Sequence, residues 1–240
     1  MEKSGKYHAE AAAGAALPAD LSFAASEAYK RLRTNLLAAL PDGSGCRVVG
    51  ITSAERGEGK STTAFYLACA LAQTGRRVLL LEADLRMPSI SGRLGLQTAP
   101  GLSNLLAGQA AAEDVMQQAG GEMPFRLIAA GDAPPNPSEL LGSDRMKCLL
   151  EDLRASFDFI LLDLPPVSAV ADALVVAGQV TGLILVARQD SSSSRALRGA
   201  LQQLNFAGAN VLGTVLTDAG GGRSGKRTGY DFGYGSGYGF

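Results

Sequence analysis

Six short apolar runs, separated by segments of helical periodicity, constrain the fold of this chain more than any other feature. The runs are continuous, rich in leucine or β-branched residues and bounded by turn residues, which is typical of strands buried on both faces. Helical spacing of apolar residues fills most of the intervals, including 60–74 and 143–156. This alternation predicts an α/β fold, a three-layer sandwich with a mostly parallel sheet and helices on both faces. The predicted strands are 47–52, 78–83, 126–130, 159–163, 182–187 and 211–216.

The first apolar run leads into a glycine-containing loop that is followed by a predicted helix. Gly57 and Gly59 allow a tight backbone whose amides point at phosphate oxygens, Lys60 reaches the terminal phosphates, and the Ser61 hydroxyl suits Mg²⁺. Ala54 stands where the pattern GxxxxGK[ST] has its first glycine, and it asks for ordinary backbone angles there. The predicted ATP-binding residues are Ala54, Gly57, Glu58, Gly59, Lys60, Ser61 and Thr62.

Two further predicted strands end in carboxylates. Glu82 and Asp84 follow the second run, and Asp163 ends the fourth. Ligands of open parallel sheets bind beyond the carboxyl ends of the strands, where these groups are expected to meet. Taken singly, each carboxylate is also typical of a helix cap or a turn. Beside a phosphate loop, they predict a Mg²⁺ site formed by Ser61, Asp84 and Asp163.

Composition excludes several other classes of function. The chain has 240 residues, with 22 basic and 23 acidic side chains and a net charge of −1, so no global positive field favours nucleic acid. Its one histidine, His8, and the separated Cys46, Cys69 and Cys148 predict neither a zinc site nor a disulfide framework, and we interpret the cysteines as buried, reduced thiols. No apolar run approaches the roughly 20 residues of a membrane span, and no signal segment is recognisable, which favours a cytoplasmic protein.

The two ends of the chain differ in composition from its middle. Residues 1–20 are rich in alanine and predict a flexible arm, whereas 219–240 are rich in glycine and predict a disordered tail. Residues 21–218 form the predicted domain. Tyrosine recurs at every fourth position of the tail, at Tyr230, Tyr234 and Tyr238.

An amphipathic helix is predicted over about 26–40, before the first strand. Its polar face carries Glu27, Lys30 and Arg33. From the pattern alone, such a charge stripe is most typical of a solvated face.

Together these motifs resemble those of the bacterial tyrosine kinases of capsule and exopolysaccharide synthesis, a branch of the deviant-Walker P-loop NTPases. The resemblance covers about residues 26–216 and extends to the tyrosine cluster in the tail. Its motifs are a Walker A loop at 54–61, an acidic motif resembling DxDxR at 79–86, an NPxELL segment at 136–141 and a Walker B strand ending in DxPP at 160–166.

The resemblance implies an ATP- and Mg²⁺-dependent, non-specific protein-tyrosine autokinase that phosphorylates its tail tyrosines in trans and so regulates polysaccharide polymerisation and export. It also implies that the stripe on the first helix is a ring-forming contact, in which Lys30 replaces an arginine of the family's ExxRxxR motif and loses its planar fork. The implied phosphoacceptors are Tyr230, Tyr234 and Tyr238, and the implied catalytic residues are Lys60, Glu82, Asp84, Arg86 and Asp163.

The family resemblance further implies partners and a location. The partners are a separately encoded, membrane-embedded polysaccharide copolymerase that acts as activator, a cognate tyrosine phosphatase, and other copies of this chain in a ring. No nucleic acid is expected. The kinase is expected to be cytoplasmic and recruited peripherally to the inner face of the membrane.

Two departures from the family pattern keep other functions open. Glu82 replaces the first aspartate of DxDxR, which predicts reduced activity or altered metal preference, and Thr217 stands where an asparagine facing adenine is expected. One alternative is therefore a nucleotide-binding scaffold with weak or no kinase activity. Another is a partition or division-site ATPase, but such proteins carry a lysine at the position of Glu55.

Overall fold

The computed structural model describes residues 21–41, 45–118 and 125–218. The predicted arm, 1–20, and the predicted tail, 219–240, lie outside the described residues, as do Tyr230, Tyr234 and Tyr238. The division into arm, domain and tail therefore stays a prediction.

One sheet of seven strands organises the described residues, in the order β3-β4-β2-β5-β1-β6-β7. Every neighbouring pair is parallel except β3 and β4, which are antiparallel. The predicted α/β fold with a mostly parallel sheet is thus confirmed. The strands are β1 (Arg47–Ser53), β2 (Val78–Glu82), β3 (Met116–Gln118), β4 (Arg126–Ile128), β5 (Phe159–Asp163), β6 (Gly182–Arg188) and β7 (Val211–Thr217).

Helices connect most of the strands. The predicted first helix is confirmed, beginning three residues earlier than expected, where the Ser22 hydroxyl caps it by accepting from the amide of Ala25 at 3.3 Å. The helices are α1 (Phe23–Ala39), α2 (Lys60–Ala72), α3 (Ile90–Arg93), α4 (Leu102–Ala107), α5 (Ala112–Val115), α6 (Pro137–Leu141), α7 (Asp144–Arg154), α8 (Asp172–Val176) and α9 (Ser194–Phe206), with a 3₁₀ turn at Ala177–Gln179. No helix in the described ranges combines the length and the apolarity that a bilayer span requires.

The core lies on both faces of the sheet. On one face, strand residues such as Val49 and Leu161 pack with Leu36 of α1 and Leu67 of α2. On the other face, a second cluster joins strand residues such as Leu162 to α4, α7, α8 and α9. The predicted three-layer sandwich follows from this division, because β1, β2 and β5 are buried on both sides.

The structure corrects two points of the sequence analysis. Strand β3 was not predicted, because its three residues form a short antiparallel edge without an apolar run. The prediction that all three cysteines are buried was wrong: Cys46 is buried, Cys69 is half-buried and Cys148 is exposed. Cys148 faces solvent because Met146 and the leucines of α7 occupy its core face.

Candidate functional site

The carboxyl ends of β1, β2 and β5 meet at one edge of the sheet. In the strand register, Asp163 pairs with Ile51 on one side and with Glu82 on the other, so the phosphate loop and both acidic motifs are neighbours. A cavity of about 310 Å³ opens at this edge. It is lined by Arg56, Gly57, Gly59, Lys60, Ser61, Thr62, Asp84, Arg86, Met87, Ser89, Arg93, Pro165, Pro166, Ala169 and Val170.

The phosphate loop between β1 and α2 has the backbone that its glycines predict. Gly57 and Gly59 have φ angles of +79° and +92°, in the left-handed region that favours glycine. A Cβ atom on Gly59 would lie 3.2 Å from Cγ2 of Thr217, so the close approach to β7 also favours glycine. Ala54 keeps a negative φ as expected, and its buried carbonyl accepts hydrogen bonds from Ser168 in the segment after β5.

Side chains from the far strands hold this loop in place. The Glu58 carboxylate is buried, where it accepts from the Glu55 amide at 2.8 Å and from the Ser192 hydroxyl. Thr217 Oγ1 donates to the Glu58 carbonyl at 2.8 Å, and Arg188 Nη1 donates to the Gly57 carbonyl at 3.3 Å. The side chains of Glu58 and Thr217 therefore support the loop, and neither lines the cavity.

Lys60 lies between two carboxylates. Its Nζ is 2.8 Å from Oδ2 of Asp84 and 3.5 Å from Oδ1 of Asp163, and it donates to the Ser61 hydroxyl at 3.2 Å. Lys60, Ser61, Asp84 and Asp163 were all predicted as site residues, and the structure brings them together. The arrangement places one cation at the start of α2, where an anionic ligand is also favoured by the helix amides.

Burial and charge shift the pKa values at this site in a consistent way. Burial raises the pKa of Asp163 to about 6, although Lys60 acts to lower it. For Lys60, burial acts to lower the pKa, but Asp163 and Asp84 outweigh it, so its pKa lies above the ordinary value. Lys60 is therefore a permanent cation at neutral pH.

The donor set fits a magnesium ion that is shared with phosphate. Asp163 Oδ2 is fully buried and has no hydrogen-bond partner, so this oxygen is an unused acceptor. No group of three or more His, Cys, Asp or Glu side chains in the described ranges is arranged to hold a metal alone. Mg²⁺ commonly takes one or two carboxylates and completes its shell with water and substrate phosphates, so Ser61, Asp84 and Asp163 fit this ion together with a nucleotide.

Two of the predicted catalytic residues, Glu82 and Asp163, do not line the cavity. Asp163 contacts the cavity residue Lys60, whereas Glu82 is held elsewhere. Its carboxylate is fully buried, and its oxygens accept from the amides of Ser89, Ile90 and Ser91 and from the Ser91 hydroxyl. The extra methylene of glutamate carries the carboxylate into this turn, away from Lys60.

Arg86 lines the cavity and is held by residues that sequence reasoning missed. Its Nε and Nη2 pair with the two oxygens of Asp172 at 2.9 and 3.1 Å, and Nη2 donates to Ser138 at 3.2 Å. Asp172 is fully buried at the start of α8. A lone aspartate in the run Val-Ala-Asp-Ala-Leu was the available signal, but its partner lies 86 positions away.

The charge stripe of α1 makes contacts within the chain. Glu27 and Lys30 form an ion pair of 2.7 Å on the helix surface, and Lys30 holds the pKa of Glu27 below its ordinary value. Arg33 Nη1 donates to the carbonyl of Ala70 in the last turn of α2 at 2.7 Å. Arg33 thus docks α1 on α2, and the predicted contact between subunits stays a prediction.

Comparisons with known proteins agree with this geometry. A family model described as an AAA domain matches residues 46–207. The tyrosine-protein kinase YwqD of Bacillus subtilis (strain 168) is 37% identical over 191 residues, which cover 80% of this chain and 80% of YwqD. The solved kinase domain of the Escherichia coli tyrosine kinase ETK is similar with a TM-score of 0.77 and 37% identity, over 80% of this chain and 74% of that chain.

A division-site protein shares the fold at greater distance. The septum site-determining protein MinD of Pyrococcus horikoshii OT3, solved in complex with Mg-ADP, has a TM-score of 0.61 and 27% identity, over 74% of this chain and 72% of that chain. At the position where the division-site ATPases carry their signature lysine, Glu55 is exposed and its amide binds Glu58. The charge at that position is therefore opposite to the one those proteins use.

Proposed function

Because this chain belongs to the bacterial tyrosine-protein kinases of capsule and exopolysaccharide synthesis, we propose that it transfers the γ-phosphoryl group of ATP to tyrosines of its own carboxyl-terminal segment. The acceptors are Tyr230, Tyr234 and Tyr238. Transfer takes place between subunits of a ring, and it regulates the polymerisation and export of a polysaccharide.

The observation that carries the proposal is the cluster of Lys60, Asp84 and Asp163, in which Lys60 and Asp84 line the phosphate-loop cavity and Asp163 is buried behind them. Without a nucleotide, Lys60 is paired with two carboxylates. With the phosphates of ATP in the loop, we propose that Lys60 moves to the β and γ phosphates and leaves Asp84, Asp163 and Ser61 to face the metal. A site in which Lys60 exchanges carboxylate partners for phosphate partners suits the binding of MgATP.

Each residue then has a chemical task. The amides of the Gly57–Gly59 turn and of the start of α2 bind the phosphate oxygens, and Lys60 stabilises negative charge on the transferring group. Bound Mg²⁺ supplies further charge neutralisation and orients the phosphates. A tyrosine with a pKa near 10 is neutral at pH 7, so its proton must leave during transfer. Among the described residues that line the cavity, Asp84 carries the one carboxylate.

We also propose partners and a location from membership of the family. The kinase acts with a membrane-embedded polysaccharide copolymerase as its activator, is recruited by it to the inner face of the cell membrane, and is reset by a tyrosine phosphatase. The exposed Glu27 and Lys30 pair, together with the remaining donors of Arg33, forms the contact of the ring.

A phosphotyrosine blot of the purified full-length chain tests the kinase proposal. Incubation with MgATP should produce phosphotyrosine, and a variant in which Tyr230, Tyr234 and Tyr238 are all phenylalanine should lose most of it. Phe substitution at the described Tyr29, which packs against Tyr66 at 5.1 Å between ring centroids, is the matched control and should leave the labelling unchanged. Binding of nucleotide without any labelling would instead support the scaffold alternative.

A further inference from the structure

The Glu82 carboxylate accepts four hydrogen bonds from three consecutive residues, 89–91. Its Oε1 accepts from the amides of Ser89 and Ile90 at 2.6 and 2.5 Å. Its Oε2 accepts from the Ser91 hydroxyl at 2.6 Å and from the Ser91 amide at 3.4 Å. Both oxygens are therefore committed to one short stretch of backbone, and the side chain is fully buried there.

This stretch is the far end of a loop that forms one wall of the cavity. The near end is held by Asp84, whose Oδ1 accepts from the Met87 amide at 3.0 Å. Leu85 and Ile90 are buried on either side of the loop and anchor it in the core. Between these anchors, Arg86, Met87 and Ser89 line the cavity opposite Pro165 and Pro166.

We propose that Glu82 is a positioning residue that clamps this cavity wall, and that the length of its side chain is essential for the clamp. The proposal rests on the proposed kinase function, because the wall it positions faces the transferred phosphoryl group. The carboxylate acts through the backbone of residues 89–91 and does not contact substrate.

Side-chain length separates a clamp from a proton acceptor. Aspartate at position 82 would withdraw the carboxylate by about 1.5 Å, which stretches the contacts to the backbone beyond hydrogen-bonding distance. Glutamine keeps the reach: its oxygen still accepts from Ser89 and Ile90, and its amide donates to the Ser91 hydroxyl. A clamp therefore prefers glutamine to aspartate. A proton acceptor prefers aspartate, which keeps the carboxylate and restores the residue that the family motif carries.

The test compares Glu82→Asp, Glu82→Gln and Ser91→Ala in the full-length protein, with Glu151→Asp as control. Glu151 is exposed on α7, so its change is chemically the same as that at Glu82 but touches no clamp. Hydrogen exchange of residues 86–91 is measured without nucleotide. Transfer from MgATP to a peptide that copies residues 226–236 gives KM and kcat, and calorimetry gives the affinity for MgADP. Ser91→Ala removes only the hydrogen bond from the Ser91 hydroxyl to Glu82. This variant keeps the test decisive if a Glu82 variant fails to fold.

The clamp predicts a definite order of effects. The hydrogen-exchange rates of the Ser89 and Ile90 amides should rise about tenfold in Glu82→Asp. They should rise about threefold or less in Glu82→Gln and Ser91→Ala, because these two variants keep an acceptor for both amides. The KM for the peptide should follow the same order, with the affinity for MgADP changed less than about twofold. Glu151→Asp should match the wild type.

A larger effect of Glu82→Gln than of Glu82→Asp would overturn the proposal that Glu82 is a clamp. If Glu82→Asp keeps most of the activity and native exchange while Glu82→Gln loses kcat, Glu82 is a proton acceptor. Unchanged exchange in Glu82→Asp would also overturn it. Should no form of the protein phosphorylate the peptide, the kinase function fails, whereas the exchange data still decide whether the clamp exists.

Discussion

Lys60 is the central residue of the site, because its cationic side chain contacts both Asp84 in the cavity wall and the buried Asp163. We predict that Lys60→Met lowers autophosphorylation by about 10²-fold or more, since its ammonium group stabilises the negative charge of the transferring phosphoryl group. Transfer of radiolabelled phosphate from ATP measures this. Lys147→Met is the control, because Lys147 is an exposed cation paired with Asp144 on α7. Labelling of the Lys60→Met protein at the native rate would refute the assignment of the phosphate loop.

Asp163 is the second single residue that we expect to be essential, through its role in binding Mg²⁺. We predict that Asp163→Asn abolishes turnover even at saturating ATP, because the unpartnered Oδ2 is the oxygen left for the ion or its water. Excess EDTA should have the same effect on the wild type, and added Mg²⁺ should reverse it. Asp152→Asn, on the exposed face of α7, should leave turnover unchanged. Full activity in EDTA would exclude a metal role for Asp163.

Single residues were predictable from sequence where a motif fixes both the residue and its neighbours along the chain. Lys60, Ser61, Asp84 and Asp163 follow strand ends, and parallel strands bring such ends together. Glu82 has the same sequence signal, yet its carboxylate turns toward a backbone segment seven to nine residues later. Nothing in a strand-end pattern encodes which way a side chain one methylene longer will turn. Asp172 and Ser138 were not predicted as partners of Arg86, because residues so far apart in sequence meet only in the folded chain.

At the scale of elements, strands β2 and β5 are tied at their amino ends, opposite the site. Asp158 accepts from the Arg77 amide at 2.8 Å and from its guanidinium at 2.9 Å, and Arg77 holds the pKa of Asp158 below its ordinary value of 3.8. Because the folded-state pKa is the lower one, this contribution is complete above the ordinary value and is lost as the pH falls through the folded value.

We therefore predict that Asp158→Asn lowers the free energy of unfolding by about 1 kcal/mol at pH 7, and that the difference from wild type shrinks below about pH 4. Denaturant unfolding over a series of pH values measures it. Asp152→Asn is again the matched control and should show a smaller, pH-independent change. A difference that grows as the pH falls would contradict the sign of the shift.

The long elements were predictable and the short ones were not. β1, β5 and β6 are buried on both sides, so their apolar runs give their positions to within a residue. The three residues of β3 carry no such run, because an edge pair needs only backbone hydrogen bonds to β4. Helix α2 ends at Ala72, two residues before the predicted end, and Gly75, with a φ of +79°, lies in the turn that follows, where a left-handed conformation favours glycine.

At the scale of the whole molecule, the proposed ring determines which chain supplies the acceptor tyrosine. The charged residues of α1 are partly used within the chain, because Glu27 pairs with Lys30 and Arg33 binds Ala70. Arg33 has five donors and the contact to Ala70 uses one of its amino groups, so a ring contact through this face remains chemically available. A ring of this kind would present each tail to a neighbouring site.

We predict that phosphorylation occurs between subunits. A Lys60→Met chain with intact tail tyrosines is mixed with an active chain in which Tyr230, Tyr234 and Tyr238 are phenylalanine, so that label on the tail can arise only by transfer from one chain to another. The inactive chain should become phosphorylated, at a rate that rises with the concentration of its partner, because the tail of one chain reaches the site of another only where subunits associate. Adding Arg33→Ala to both chains should slow this transfer if the α1 face forms the contact. If the inactive chain stays unlabelled while the wild type labels itself at a rate independent of concentration, transfer is intramolecular, and Glu27, Lys30 and Arg33 serve only to dock α1 and solvate its surface.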